Sequence, residues 1–242
     1  MGISMNEYLE RVDNRVTELL DAIFEIDQNA IEVNSGATKL YEEMREKHAK
    51  LNSFSEQAHL DQAQVYKGQI KDYQIKNNKH FGEKVEKCGQ LIIIAYDGLK
   101  EVHGVTDGKR ETLKNKIELK YGSGHIELVG TKGLDVIDLV WEGRNQSVHY
   151  KEGLNNHVKT VFKKLKKDYP GLFDNFEKEN MSYEVVKLLD WLLDVEDVIP
   201  NEEINTESDG YKLLDAIDLK DPLPESEKTG YHKFRNFMSK YS

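Results

Sequence analysis

Apolar residues recur through the N-terminal part of the chain at alternating spacings of three and four. The members of this heptad seam are Leu9, Val12, Val16, Leu19, Ile23, Ile26, Ala30, Val33, Ala37, Leu40 and Met44. The spacing is that of an α-helix whose apolar residues share one face, and here it continues for about five heptads. The N-terminal third of the chain is therefore predicted to form long helices that pack along this face.

A second seam follows after a more polar stretch. A polar helix is predicted over residues 54–76, and it ends near Asn77-Asn78. Gly104 is the expected C-cap of the next helix. The apolar seam of that helix consists of Phe81, Val85, Cys88, Ile92, Ala95, Leu99 and Val102. Asn34-Ser35-Gly36 interrupts the first seam and is the expected place of a break or bend, because glycine is a poor helix former. Such breaks favour antiparallel core packing over an extended coiled coil.

The rest of the chain predicts shorter helices separated by turns. They are expected over residues 108–120, 134–143, 154–168, 183–198, 210–218 and 225–240, with a short strand or an extended loop at 125–129. The predicted fold class is therefore all-α. Three segments are expected. Residues 1–78 would form a long helical hairpin for dimerisation or sensing, and residues 79–200 would form a helical bundle. Residues 201–242 would form an acidic extension with short helices.

The charge of the chain is uneven along its length. A net charge of −10 argues against a general nucleic-acid coat. Residues 100–168 nevertheless hold 14 Lys and Arg against 10 Asp and Glu, so the remainder carries a balance of −14. A basic stretch on an acidic protein is expected of a local phosphate-binding surface, although a solvated helix face has the same composition.

Cysteine and histidine usage argues against metal or disulfide frameworks. The one cysteine, Cys88, lies on an apolar seam and is therefore predicted to be a buried core residue. The histidines show no metal-ligand spacing. The N-terminal residues lack the basic region and apolar core of a secretory signal, and no apolar run is long enough to cross a bilayer. We therefore expect a cytoplasmic location, no membrane association, no metal and no cofactor.

Reactive polar residues crowd together in one segment, Trp141-Glu142-Gly143-Arg144-Asn145-Gln146-Ser147-Val148-His149-Tyr150. On a continuous helix Arg144 and His149 would lie about 140° apart around the axis and would not converge, whereas Asn145 and His149 would share a face. Asn145 is then placed to hold the imidazole. For Arg144 and His149 to cooperate, the helix must end or turn near Gly143, or a second subunit must supply one of the two residues.

The chemistry that suits an arginine and a histidine together is RNA cleavage. Histidine exchanges a proton near neutral pH and can assist attack of the ribose 2′-hydroxyl on the adjacent phosphate. Arginine stays charged and offers a planar fork of donors to the phosphate as negative charge builds up. A histidine at a helix junction is also often a structural hydrogen-bonding residue, so the pair alone leaves both interpretations open.

The segment resembles the Arg-Asn-x-x-x-His motif of the HEPN superfamily, helical-bundle ribonucleases of toxin–antitoxin, abortive-infection and CRISPR systems. The resemblance covers the motif, the helix before it and the basic helix after it, and does not clearly extend over residues 1–78. It implies an HEPN-like up-and-down bundle, a homodimer that joins two motifs in one cleft, and metal-independent cleavage to 2′,3′-cyclic phosphates. Arg144 would bind the scissile phosphate, His149 would act as acid or base, and Asn145 would order the site.

The RNA itself is expected to contact basic residues after the motif, and an antitoxin or defence-system protein is an expected partner. The residues expected to bind RNA are Lys151, His157, Lys159, Lys163 and Lys166. HEPN toxins that a partner nucleotidyltransferase silences have a tyrosine two positions after the histidine. Here that position is Lys151 and the tyrosine is Tyr150, so this mode of control is not predicted.

Two non-catalytic functions compete with the ribonuclease. One is an HEPN-like helical module that binds a partner protein or a nucleotide, which the acidic segments and heptad seams favour. The other is a coiled-coil adaptor in which Arg144 and His149 cap helices. The surroundings of His149 discriminate between them, because an acid–base residue must be exposed in a cleft.

Overall fold

A computed structural model describes residues 2–50, 56–122, 128, 133–198 and 227–241, with side chains over 2–47, 63–122, 128, 133–190 and 233–240. The helices are α1 (Met5–Lys50), α2 (Glu56–Val102), α3 (Arg110–Tyr121), α4 (Val136–His149), α5 (Asn156–Asp168), α6 (Ser182–Val198) and α7 (Glu227–Tyr241). A 3-10 turn at Tyr150–Glu152 follows α4, and no β-strand occurs within this part of the chain. The predicted all-α class is confirmed.

The predicted helix end near Asn77-Asn78 is wrong, and the first seam has no break at Asn34-Ser35-Gly36. Helix α1 continues through Gly36, and α2 continues through Asn77-Asn78, so that one helix replaces the two expected there. The physical reason is that residues at both places contact the other helix. The amide of Asn77 donates to Asn34 Oδ1 at 2.5 Å, and Gly36 lies so close to the Tyr73 ring that a Cβ would be 2.8 Å from its hydroxyl oxygen.

Among the predicted elements that the structure does not describe are the helix at 210–218 and residues 125–129 other than Leu128. The amide of Leu128 donates to the carbonyl of Leu134 at 3.2 Å. The helices predicted at 108–120, 154–168, 183–198 and 225–240 correspond to α3, α5, α6 and α7. None of the described helices is both long and apolar enough to cross a membrane.

The chain divides into two compact units, and α1 and α2 contribute to both. The smaller unit is Ile23–Lys84, and the larger one joins Met1–Ala22 to Val85–Ser242. In the smaller unit the two helices are antiparallel, as the pairing of Asp27 with Lys84 and of Asn34 with Asn77 requires. Lys84 and Asp27 approach to 2.5 Å while both side chains are largely buried.

The core of the larger unit surrounds α4, which contacts α3, α5 and α6. The predicted inward residues of α5 are all buried, as are the central members of the α2 seam and three of the first four members of the α1 seam. These buried residues are Val158, Val161, Phe162, Leu165, Val85, Cys88, Ile92, Ala95, Leu99, Leu9, Val16 and Leu19. Helix α4 begins with a capping box, in which Asp135 and Asp138 each accept a hydrogen bond from the other's backbone amide. This box fixes the start of the helix that carries the motif.

Helix α4 is longer than predicted. It was expected to end at residue 143, but it continues through Gly143 to His149. Gly143 serves packing rather than a turn, because a Cβ there would lie 3.0 Å from Val185 Cγ1 of α6 and 3.4 Å from Ile92 Cδ1 of α2. The whole Arg-Asn-x-x-x-His motif therefore lies on one continuous helix.

A buried glutamine within the motif holds the segment between α5 and α6. Gln146 is 1% exposed, and its amide donates to the carbonyls of Phe176 and Glu179 while its Oε1 accepts from the Met181 amide at 2.8 Å. Three backbone groups that no helix satisfies are thus paired by one side chain. Gln146 is a structural residue that the sequence reasoning did not single out.

We expect Gln146→Leu to lower the free energy of unfolding by roughly 2 to 3 kcal/mol, because it leaves buried backbone groups without hydrogen bonds. Gln69→Leu, at an exposed position of α2, is the matched control and should change it by less than about 0.5 kcal/mol. Urea denaturation of both variants measures the difference. Equal stability of the two would show that Gln146 does not anchor this segment.

Candidate active site on helix α4

Four polar residues of α4 form a single stripe. Asp138, Glu142, Asn145 and His149 follow spacings of four, three and four, which places them within about 60° of one another around the helix axis. This is the spacing of an apolar core stripe, but here it carries two carboxyls, an amide and an imidazole. Two further side chains reach the stripe, Arg110 from α3 and His157 from α5.

The carboxylate of Glu142 is the centre of the arrangement. Its side chain is 3% exposed, and each of its oxygens has a partner. His157 Nδ1 lies 2.7 Å from Oε1, and the Asn145 amide donates to Oε2 at 3.1 Å. A buried carboxylate with a full set of partners holds them in fixed orientations, because each would lose a charge-assisted hydrogen bond by moving.

Arg110 lies on the other side of the His157 ring. Its Nη1 is 3.1 Å from His157 Nε2 and 2.5 Å from Asp138 Oδ1, and it also pairs with Glu111. Since a guanidinium can only donate hydrogen bonds, Nε2 accepts here and Nδ1 carries the hydrogen that faces Glu142. The His157 ring is 53% exposed and therefore accessible to solvent.

His149 is the last residue of α4 and is exposed. Its side chain is 51% exposed, and Nδ1 lies 3.0 Å from a carboxylate oxygen of Glu152 in the 3-10 turn that follows. The imidazole is therefore not buried, as the adaptor function would require. Instead it has the accessibility and the carboxylate partner of a residue that exchanges protons with a ligand.

Arg144 points to a different side of α4. Its guanidinium carbon is 5.4 Å from the centre of the Tyr96 ring of α2, and that ring meets Trp141 edge-on at 5.1 Å. Nη1 donates to Asn145 Oδ1 at 3.3 Å, while Nε is buried with no hydrogen-bond partner among the described residues. Arg144 is thus held by an aromatic face and remains half-buried at the edge of the stripe.

The structure brings some of the predicted site residues together and separates others. Within one chain Arg144 and His149 lie about 140° apart on a continuous helix and do not converge. Asn145 bonds Arg144 and Glu142 instead of holding the imidazole of His149. Through Glu142, the Arg-Asn part of the motif is connected to His157.

The predicted RNA-binding residues of α5 also separate. Lys159, Lys163 and Lys166 share one exposed side of this helix, whereas His157 is roughly 120 to 180° away from them around the axis. Lys166 donates to the Asp174 carbonyl at 3.1 Å, and Lys151 is exposed next to the motif. The lysines form a surface of their own, and His157 belongs to the polar stripe.

Sequence reasoning missed the contributions of Arg110 and Asp138 and did not connect Glu142 with His157. The polar residues of α4 repeat with the 4-3-4 spacing of a buried stripe, and this signal was available from the sequence. Nothing local indicates which residues of α3 and α5 would cover them. The described residues contain no group of three or more His, Cys, Asp or Glu side chains that could hold a metal ion.

Comparisons with known proteins add no relatives. No family model, no curated protein and no solved structure matches this chain.

Burial of Asp138 gives a pH dependence that can be measured. Burial, followed by the charge of Asp135, raises the pKa of the Asp138 carboxyl above its ordinary value of 3.8, although Arg110 opposes this. The folded state therefore binds a proton more tightly than the unfolded state, so this group loses stabilising free energy as the pH rises above 3.8. The stability advantage of wild type over Asp138→Asn should be largest near pH 4 and shrink toward pH 7.

Asp107→Asn is the control with the opposite sign. Hydrogen bonds from the Lys109 amide and the Thr112 hydroxyl lower the pKa of Asp107, so its stabilising contribution is complete above 3.8 and is lost on further acidification. Denaturant unfolding at several pH values measures both variants. A wild-type advantage over Asp138→Asn that grows from pH 4 to 7 would contradict the assigned burial.

Proposed function

We propose that this protein is a metal-independent endoribonuclease of the HEPN type, acting on RNA in a toxin–antitoxin, abortive-infection or other defence system. The observation that carries the proposal is the polar stripe of α4. It ends in a half-exposed histidine with a carboxylate partner, His149, and its Asn145 is hydrogen-bonded to Arg144 of the same helix. The resemblance of the Arg-Asn-x-x-x-His motif supports the same reaction.

His149 and Arg144 would supply what RNA cleavage requires. The 2′-oxygen attacks phosphorus, the bond from phosphorus to the 5′-oxygen breaks, and the products end in a 2′,3′-cyclic phosphate and a 5′-hydroxyl. A histidine can move the protons, and an arginine can neutralise the charge that builds on the phosphate oxygens. DNA lacks the 2′-hydroxyl, so the activity would be confined to RNA.

The angle between Arg144 and His149 requires a second copy of the chain. Since α4 neither ends nor turns at Gly143, cooperation within one chain is not available to the two residues. A two-fold dimer that brings together the exposed C-terminal ends of two α4 helices would place the arginine of one copy near the histidine of the other. Exposed Val148, next to His149, provides an apolar residue at such an interface.

One observation favours the non-catalytic alternative, a helical module that binds a partner protein or a nucleotide. The guanidinium of Arg144 stacks on Tyr96 and is half-buried, which is also typical of a structural arginine. In that case His149 would be dispensable. Cleavage assays separate the two functions because only the ribonuclease loses its activity with His149.

His149→Ala is expected to lower the rate of RNA cleavage by at least about 100-fold, because the proton-transfer group is removed. Wild-type cleavage should persist in EDTA and leave cyclic phosphate ends. The assay uses total RNA and a panel of tRNAs with product ends mapped. His80→Ala, a histidine of the smaller unit, is the control and should retain full activity.

Three results would change this assignment. No cleavage by the folded wild-type protein under any condition would favour the binding module. Cleavage that disappears in EDTA would contradict a metal-independent reaction. Undiminished cleavage by His149→Ala would remove His149 from the site.

The lysine surface of α5 gives an independent test of RNA binding. Lys159 and Lys163 are exposed, one helical turn apart, whereas Lys166 is engaged by Asp174. Replacing the first two with serine should reduce the slope of log binding constant against log salt concentration by about 1.4 for single-stranded RNA. The matched control is Lys67→Ser with Lys71→Ser, an exposed pair of equal spacing on α2. Equal slopes for both double variants would exclude this surface from RNA binding.

A further inference from the structure

His157, which lies outside the Arg-Asn-x-x-x-His motif, is built into a proton-transfer arrangement. Its Nδ1 faces the carboxylate of Glu142 at 2.7 Å, and its Nε2 faces Arg110 at 3.1 Å. The carboxylate is 3% exposed and the ring is 53% exposed, so a buried anion orients an accessible imidazole. This is the division of roles by which a carboxylate fixes the tautomer of a catalytic histidine.

The tautomer follows from the two neighbours. Glu142 accepts the hydrogen on Nδ1, and the lone pair of Nε2 accepts a hydrogen bond from Arg110 in the unbound protein. The charged groups around the ring are Glu142 from α4, and Arg110 and Glu111 from α3, while Asp138 from α4 pairs with the same guanidinium. By contrast, the carboxylate partner of His149 is 73% exposed and orients its imidazole less firmly.

We propose that His157 is a second catalytic histidine of this site and acts as the general base, with Glu142 as its positioning residue. The inference rests on the proposed ribonuclease function. His157 Nε2 takes the proton of the 2′-hydroxyl as the bond from the 2′-oxygen to phosphorus forms. The protonated imidazole of His149 gives a proton to the departing 5′-oxygen, and the products are a 2′,3′-cyclic phosphate and a 5′-hydroxyl.

Arg110 has a defined part in this step. In the unbound protein it donates to His157 Nε2, the atom that must be vacated for the 2′-hydroxyl. A phosphate oxygen is a stronger acceptor than a neutral imidazole nitrogen, so RNA binding transfers this donor to the scissile phosphate. Bound RNA thereby frees His157 Nε2 to act as the base, and the Arg110 guanidinium pairs with the scissile phosphate at the same time.

Single-turnover RNA cleavage by His157→Asn tests the role directly. The asparagine amide can still donate to Glu142 but cannot accept a proton as imidazole does, so the rate should fall at least about 100-fold while the fold is kept. Thr160→Ala, an exposed position on the same helix, should stay within about twofold of wild type. Circular dichroism and thermal unfolding verify that both variants are folded.

Two readouts distinguish catalysis from a structural role. Added imidazole should restore cleavage by His157→Ala at least about tenfold, because the exposed site admits a free base. Imidazole nitrogen NMR of the wild type should show the tautomer with hydrogen on Nδ1, and Glu142→Gln should abolish this preference. Absence of rescue, or the opposite tautomer in wild type, would overturn the role of His157.

The failures of the two proposals are distinguishable. No cleavage by wild type would overturn the ribonuclease and with it the catalytic role of His157. Cleavage by wild type that His157→Asn retains within about twofold would overturn the second histidine alone and leave His149 as the assigned acid or base.

Discussion

The burial of one carboxylate, that of Glu142, determines the arrangement around α4. Leaving a buried charge without its partner costs roughly 3 to 5 kcal/mol, so the surrounding elements must supply hydrogen bonds. Helix α5 supplies one through His157, and α4 itself supplies the other through Asn145. Asp138, one turn earlier on α4, is also buried and forms an ion pair with Arg110 of α3. The charged stripe therefore fixes α3 and α5 against α4, and the groups that stabilise the fold are the groups proposed for catalysis.

Much of the fold could be predicted from the sequence because helix periodicity is a local property. The seams identified the buried residues in the first part of α1 and the middle of the α2 seam, although Phe81 is 42% exposed, and the buried apolar residues of α5 were all predicted. The wrong helix end at Asn77-Asn78 and the unbroken helix at Gly36 both involve contacts between distant residues. Asn34 and Asn77 satisfy each other across 43 positions of sequence, and local propensity contains no information about such a partner. Gly143 is similar, since its small size serves the approach of α6.

The candidate site was predictable only in part, for the same reason. The motif was found from its spacing, and the angle of about 140° between Arg144 and His149 followed from helix geometry alone. The continuous α4 confirms that angle within one chain, and the meeting of the two residues across two copies is part of the proposed function. Arg110 and His157 reach the stripe from other helices, so their contacts depend on tertiary packing. Glu142 connects the sequence motif with these tertiary contacts, because it is close to the motif in sequence and its carboxylate pairs with His157.

The dimeric site is tested most directly by mixing two inactive variants, Arg144→Ala and His149→Ala, and measuring RNA cleavage after subunit exchange. If one subunit supplies the arginine and its partner the histidine, each mixed dimer contains one intact combination. Random exchange should then restore about a quarter of the wild-type activity. Mass spectrometry under native conditions verifies that mixed dimers have formed. Mixed dimers without recovered activity would contradict a site that is completed between two copies of this chain.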